Sequence, residues 1–109
     1  MEISEIDWDE ANREKCASHG VSIAEIEDVL RGSPRVAPDP AHSAHEDRFI
    51  AVGRNHEGRP IFVAFTFRVR HGQLAIRPVT ARYMHKQEAE SYEEAGSQIE
   101  DGRGGGSVS

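Results

Sequence analysis

The chain is poor in most of the residues that staple a small protein together or set it in a membrane. A single cysteine, Cys16, excludes an internal disulfide and any multi-cysteine zinc site. No apolar run approaches the roughly 20 residues that a membrane-spanning helix needs, so no membrane partner is expected. The opening MEISEIDWDE is acidic where a signal peptide is basic and then apolar, and a reducing, cytoplasmic setting is the expectation. Neither a Gly-Xaa-Ser-Xaa-Gly elbow nor a Walker-type phosphate loop occurs, and nothing else argues for nucleophilic catalysis.

Positive charge is also scarce outside one block. Of 109 residues with a net charge of −6, the first 47 hold four Lys/Arg against twelve Asp/Glu. Residues 48–87 hold eight (Arg48, Arg54, Arg59, Arg68, Arg70, Arg77, Arg82 and Lys86) against Glu57 alone, a local charge of +7. The remainder returns to −5. Segregation of this kind suits a polyanion or an acidic partner at one surface. The alternative is that acidic helices neutralise basic strands within the fold.

What is there reads as one small α+β domain over residues 1–95, followed by a Gly/Ser-rich tail, 96–109, expected to be disordered. Asp7 or Asp9 caps a first helix ending near Ser18, with Gly20 as its stop. Trp8, Asn12, Lys15 and His19 fall on one face of it. Ser22 and Glu25 form a capping box for a second helix, whose apolar stripe is Ile23, Ile26, Val29 and Leu30. Three hairpin-linked strands follow: DRFIAVGR, IFVAFTFRVR and the segment from Gln73 to Thr80, with a short further strand near Arg35–Ala37. The pattern implies an antiparallel sheet of three to four strands with helices on one face. Pro78 places the last strand at an edge or at a bulge. Its core-facing residues are either Leu74 and Ile76 or Val79 and Ala81. A turn at Thr80–Arg82 then leads into a final helix from about Tyr83.

The stretch IRPVTARYMHK, Ile76–Lys86, concentrates cations where they are costly, within a strand and at a helix N-terminus. A phosphate is the natural compensating anion. Hairpin geometry brings Arg68 and Arg70 towards Arg77, and three neighbouring guanidiniums repel one another unless anions intervene. The competing expectation pairs them with Glu46, Asp47 and the C-terminal glutamates. In that case Arg77 is scaffold, and Arg82 with Arg48 carry the chemistry. The segment HSAHEDR places His42, His45 and Glu46 beside Arg48. Its HxxHE spacing differs from the HExxH of zinc helices, so no metal or other cofactor is expected; His45 or Glu46 suits a proton acceptor instead.

Three segments, IDWDEANREKCASHGVS, HEDRFIAVGR and IRPVTARYMHKQEAESYEE, together resemble the BrnT-like toxins of bacterial type II toxin–antitoxin systems. The resemblance rests on Trp8-Asp9, Asn12, His19-Gly20-Val21, Glu46, Arg48, Gly53, Arg77, Thr80-Ala81-Arg82, Glu88 and Tyr92. Many members read Lys-His-Gly where this chain has Ser18-His19-Gly20, and Ile-Ser-Ala-Arg where it has Val79-Thr80-Ala81-Arg82. The resemblance implies a RelE-like fold and metal-independent RNA cleavage that inhibits translation. It also implies neutralisation by a cognate antitoxin, through which alone DNA is contacted. Arg48, Arg77 and Arg82 are expected to stabilise charge, with Glu46, His45 or His85 moving protons. RNA phosphate is expected on Arg68, Arg70, Lys86, Lys15 and His19. The alternative is a non-catalytic member that binds nucleic acid or antitoxin.

Overall fold

A computed structural model describes residues 5–94. In chain order these form β1 (Glu5–Ile6), α1 (Glu10–Ala17), α2 (Ile23–Arg31), β2 (Arg35–Pro38), a 3-10 turn at Pro40–His42, β3 (Phe49–Arg54), β4 (Pro60–Arg70) and β5 (Gln73–Tyr83). Residues 86–94 are helical and are called α3. The tail expected at 96–109 lies outside the described residues.

The strands form one sheet in the order β1-β5-β4-β3-β2. Four of them make the antiparallel meander, and β1 adds a fifth strand that runs parallel to β5, with Glu5 opposite Ala75 and Ile6 opposite Ile76. The sheet is therefore mixed, where three to four antiparallel strands were expected. A two-residue strand carries no alternation from which it could have been predicted.

Asp9 is the cap of α1, and each of the two helices opens on a capping box. Asp9 accepts from the Asn12 N–H, and the Asn12 side chain accepts from the Asp9 N–H; Ser22 and Glu25 do the same for α2. Gly20, at φ +90°, turns the chain between the two helices in a conformation that side chains resist. The stripe of α2 packs on the sheet, with Ile26, Val29 and Leu30 buried against Ala51, Ile61, Val63 and Phe65. Gly53 lets α2 come close: a Cβ there would lie 3.1 Å from Val29 Cγ1.

The bulge in β5 decides which residues face this core. Ala64 pairs with Thr80 and Phe65 with Pro78, so Val79 is the extra residue. Period two would send either Ile76 or Ala81 inward; the bulge resets the alternation, and both are fully buried in the same cluster. Among the described residues no strand covers the outer side of β5 at Pro78, and its carbonyl accepts from Asn12 Nδ2 at 2.9 Å.

Two expectations are corrected here. The chain does not turn at Thr80–Arg82; β5 continues to Tyr83, paired with Ile61–Ala64 of β4, and the helix begins only at residue 86. β-branched Val79 and Thr80 and aromatic Tyr83 suit this extended path. Nor do the helices share one face. While α1 and α2 cover one side, α3 lies on the other, where Ala89 and Tyr92 pack with Val52, Met84, Ile50 and Phe62. Arg82 ties it down by a bidentate pair with Glu88 (3.0 and 2.7 Å), and Arg54 does so with Glu93.

Candidate active site

Among the described residues, α3 covers only part of the second face and leaves the rest of it open. There the cross-strand pair of Thr66 and Arg77 sits one residue beyond the last β3–β4 pair, Phe49 with Phe65, so Arg48 enters at the same level. Arg68 follows Thr66 on the same face of β4. The segment between β2 and β3 closes over these residues. Asp39 N–H donates to Arg48 O at 2.8 Å, Arg48 N–H donates to Ser43 Oγ at 3.0 Å, and Ser43 Oγ–H donates to Asp39 O at 2.8 Å. This knot brings His42, His45 and Glu46 to the rim of a depression of about 470 Å³, with Arg48, Arg68 and Arg77 around it.

The three cations are not equivalent. Arg68 makes a two-toothed contact with Glu46. Arg77 is held by Asp9 at 2.8 Å and Asp7 at 3.4 Å, with its side chain 20 % exposed. Burial disfavours the charged form of Arg77, but the hydrogen bonds and charges of Asp9 and Asp7 outweigh it and raise the guanidinium's pKa. Asp9 lies correspondingly below the usual carboxylate value, through the Asn12 backbone N–H first and Arg77 second. Arg48 alone of the three forms no side-chain hydrogen bond or ion pair with another described residue. A phosphate entering here meets one guanidinium free of carboxylates and two already oriented by them.

A second depression of about 180 Å³ opens on the far side of the bulge, between α1 and β5, lined by Asn12, Lys15, Arg77 and Val79. Arg77 and Val79 belong to both depressions, so the two meet at the bulge and Lys15 borders the same groove.

Of the residues singled out from the sequence, Arg48, Arg68, Arg77 and Glu46 come together and Lys15 adjoins them. The others do not. Arg70 turns to Asp7 at 3.1 Å, so Asp7 lies between Arg70 and Arg77 as the intervening anion. Arg82 is about 16 Å from Arg77 along β5, five residues at roughly 3.3 Å each. It stacks on Phe62 and pairs with Glu88, which raises its pKa. His85 and Lys86 are exposed at the start of α3, beyond Arg82, and exposed His19 follows α1 outside both depressions.

Sequence reasoning missed Asp7 and Asp9 as partners of Arg77, Asn12 as the clip on Pro78, and Thr66 beside Arg77. The capping pattern Asp9-Xaa-Xaa-Asn12 was visible, whereas a buried carboxylate that meets an arginine 70 positions away leaves no local trace. Among the described residues, no three His, Cys, Asp or Glu side chains group as a metal ion would require.

No curated protein matches the chain. A family model described as the ribonuclease toxin BrnT of type II toxin–antitoxin systems matches residues 8–88. That span takes in both α1 and α2, all four antiparallel strands and every residue lining the open depression, and the chain belongs to this ribonuclease-toxin family.

Proposed function

We propose that the open depression cleaves RNA without a metal ion, using the substrate's own 2′-hydroxyl as nucleophile. The observation that carries this reading is the convergence of Arg48, Arg68 and Arg77 on one face beside His42, His45 and Glu46. Attack by the 2′-oxygen builds negative charge on the phosphorane oxygens, and preorganised guanidiniums stabilise that charge most where it develops. A rim residue takes the 2′ proton, and the cleaved bond leaves a 2′,3′-cyclic phosphate and a 5′-hydroxyl. A cognate, DNA-binding antitoxin then neutralises the protein by covering the basic face.

A second reading has its own support: Arg68 and Arg77 are already paired with internal carboxylates, as a non-catalytic binding protein would tolerate. Incubation of the purified chain with RNA in EDTA separates the two. Cleavage that survives chelation and falls about a hundredfold or more in Arg48→Ala agrees with the first. RNA binding that weakens with salt, without cleavage, agrees with the second. Activity abolished by EDTA overturns metal independence. Co-expression with the neighbouring reading frame tests the partner; a stable complex is expected, and recovery of free chain only counts against it.

A further inference from the structure

The geometry points to His42, oriented by Asp39, as the general base that takes the 2′-hydroxyl proton. This rests on the cleavage reading above and assigns a residue to a step that it left open.

Three rim residues are chemically able to accept a proton. Both oxygens of Glu46 are engaged by Arg68. His45 is exposed, and no described residue fixes its ring. His42 differs from both. Its Nδ1 lies 3.1 and 3.3 Å from the two Asp39 carboxylate oxygens. A carboxylate only accepts hydrogen bonds, so Nδ1 must carry the hydrogen, and in the neutral ring Nε2 then bears the free lone pair. A base held in one tautomer by a sheltered carboxylate is the arrangement that catalytic imidazoles need. The exposures fit the division of labour: the Asp39 side chain is 13 % exposed and that of His42 63 %. The orienting group is thus shielded while the base stays reachable.

The same segment locks this pair to the cation site. Asp39 and Arg48 are joined through their backbones, and Ser43 Oγ bridges them. His42, on the 3-10 turn inside that closed segment, is therefore held relative to Arg48. In the step, the 2′-oxygen forms its bond to phosphorus as its proton passes to Nε2, and the P–O5′ bond breaks with its electron pair leaving on O5′. Solvent, which reaches this open depression, protonates O5′; the imidazolium returns its proton to solvent. Asp39 touches no substrate and is a positioning residue.

The test is cleavage of a single-site fluorescent oligoribonucleotide by the full chain in EDTA. His42→Ala and His42→Gln are expected to lower kcat by about 10²–10⁴-fold with little change in KM. Both lose the acidic limb of the kcat/KM profile, and added imidazole restores part of the rate in His42→Ala. Asp39→Asn lowers kcat less, with KM retained. His56→Ala, at the remote, exposed turn between β3 and β4, leaves the rate unchanged. Wild-type cleavage that is lost in Arg48→Ala but kept in both His42 variants overturns this assignment alone. No cleavage by the wild-type chain overturns the assignment together with the reading beneath it.

Discussion

Asp9 divides its two carboxylate oxygens between two tasks: Oδ1 accepts the Asn12 N–H at 2.9 Å and caps α1, while Oδ2 lies 2.8 Å from Arg77 Nη2. One side chain thereby ties the start of a helix to a cation in the middle of the sheet. Asp9→Ser keeps an oxygen for the cap and removes the one facing Arg77, whereas Asp9→Ala removes both. Urea midpoints should fall in the order wild type, Asp9→Ser, Asp9→Ala. Releasing Arg77 should also give one more phosphate contact, steepening the salt slope of RNA binding by about 0.7 in Asp9→Ser. An unchanged slope would mean that Arg77 does not face the RNA.

Acid should loosen the fold at a known place. Glu25 accepts hydrogen bonds from Asn55 Nδ2, the Ser22 N–H and the Tyr83 hydroxyl, and these hold its pKa at about 2, below the ordinary 4.5. The unfolded chain binds this proton more readily than the folded one. The contribution of Glu25 is therefore complete above pH 4.5 and is lost as pH falls towards 2. In Glu25→Gln the stability curve should flatten across that window; an acid limb identical to wild type would refute the assignment.

Arg82 should behave as a structural residue. Its pair with Glu88 and its stacking on Phe62 hold α3 against the sheet. Both members of the pair are partly exposed, so Arg82→Ala should cost only about 1 kcal/mol in denaturant unfolding. It should also speed proteolytic cleavage within residues 86–94. RNA cleavage by the folded fraction should change little. Loss of cleavage equal to that of Arg48→Ala, with α3 still protected, would return Arg82 to the active site.

Gly53 tests how closely α2 sits. An added Cβ would meet the branched Val29 side chain at 3.1 Å, and Val29 is itself buried between helix and sheet. Gly53→Ala should destabilise by about 1–3 kcal/mol through overpacking. The double variant Gly53→Ala/Val29→Ala should cost less than the sum of the two single changes. Strict additivity in a double-mutant cycle would mean that the two residues do not meet.

Much of the fold was legible because its signals are local. The capping residues Ser22 and Glu25, the alternation of Ile61, Val63, Phe65 and Phe67, and the His71–Gly72 turn each occupy a few adjacent positions. Illegible features depend on distant segments. Thr80–Arg82 resembles a turn until β4 pairs with it, and Arg82 reads as a free cation until Glu88 comes round. The site was half visible for the same reason. Arg48 and Glu46 are close in sequence, while the anions that restrain Arg77 come from the other end of the chain.

The extra residue in β5 has a consequence for any reworking of this protein. Arg77 and Arg82 are five residues apart, yet they oppose Thr66 and Phe62, which share a face of β4. Val79 thus acts as a frame shift within the strand. Its deletion would leave Arg77 and Arg82 four residues apart, the spacing of Thr66 and Phe62, so each β4–β5 pair could persist without the bulge. β4 has no residue to spare, and removing one between Phe62 and Thr66 would put Arg77 and Tyr83 out of step with their partners. A library should therefore accept loss of Val79 more readily than any deletion in the facing stretch of β4.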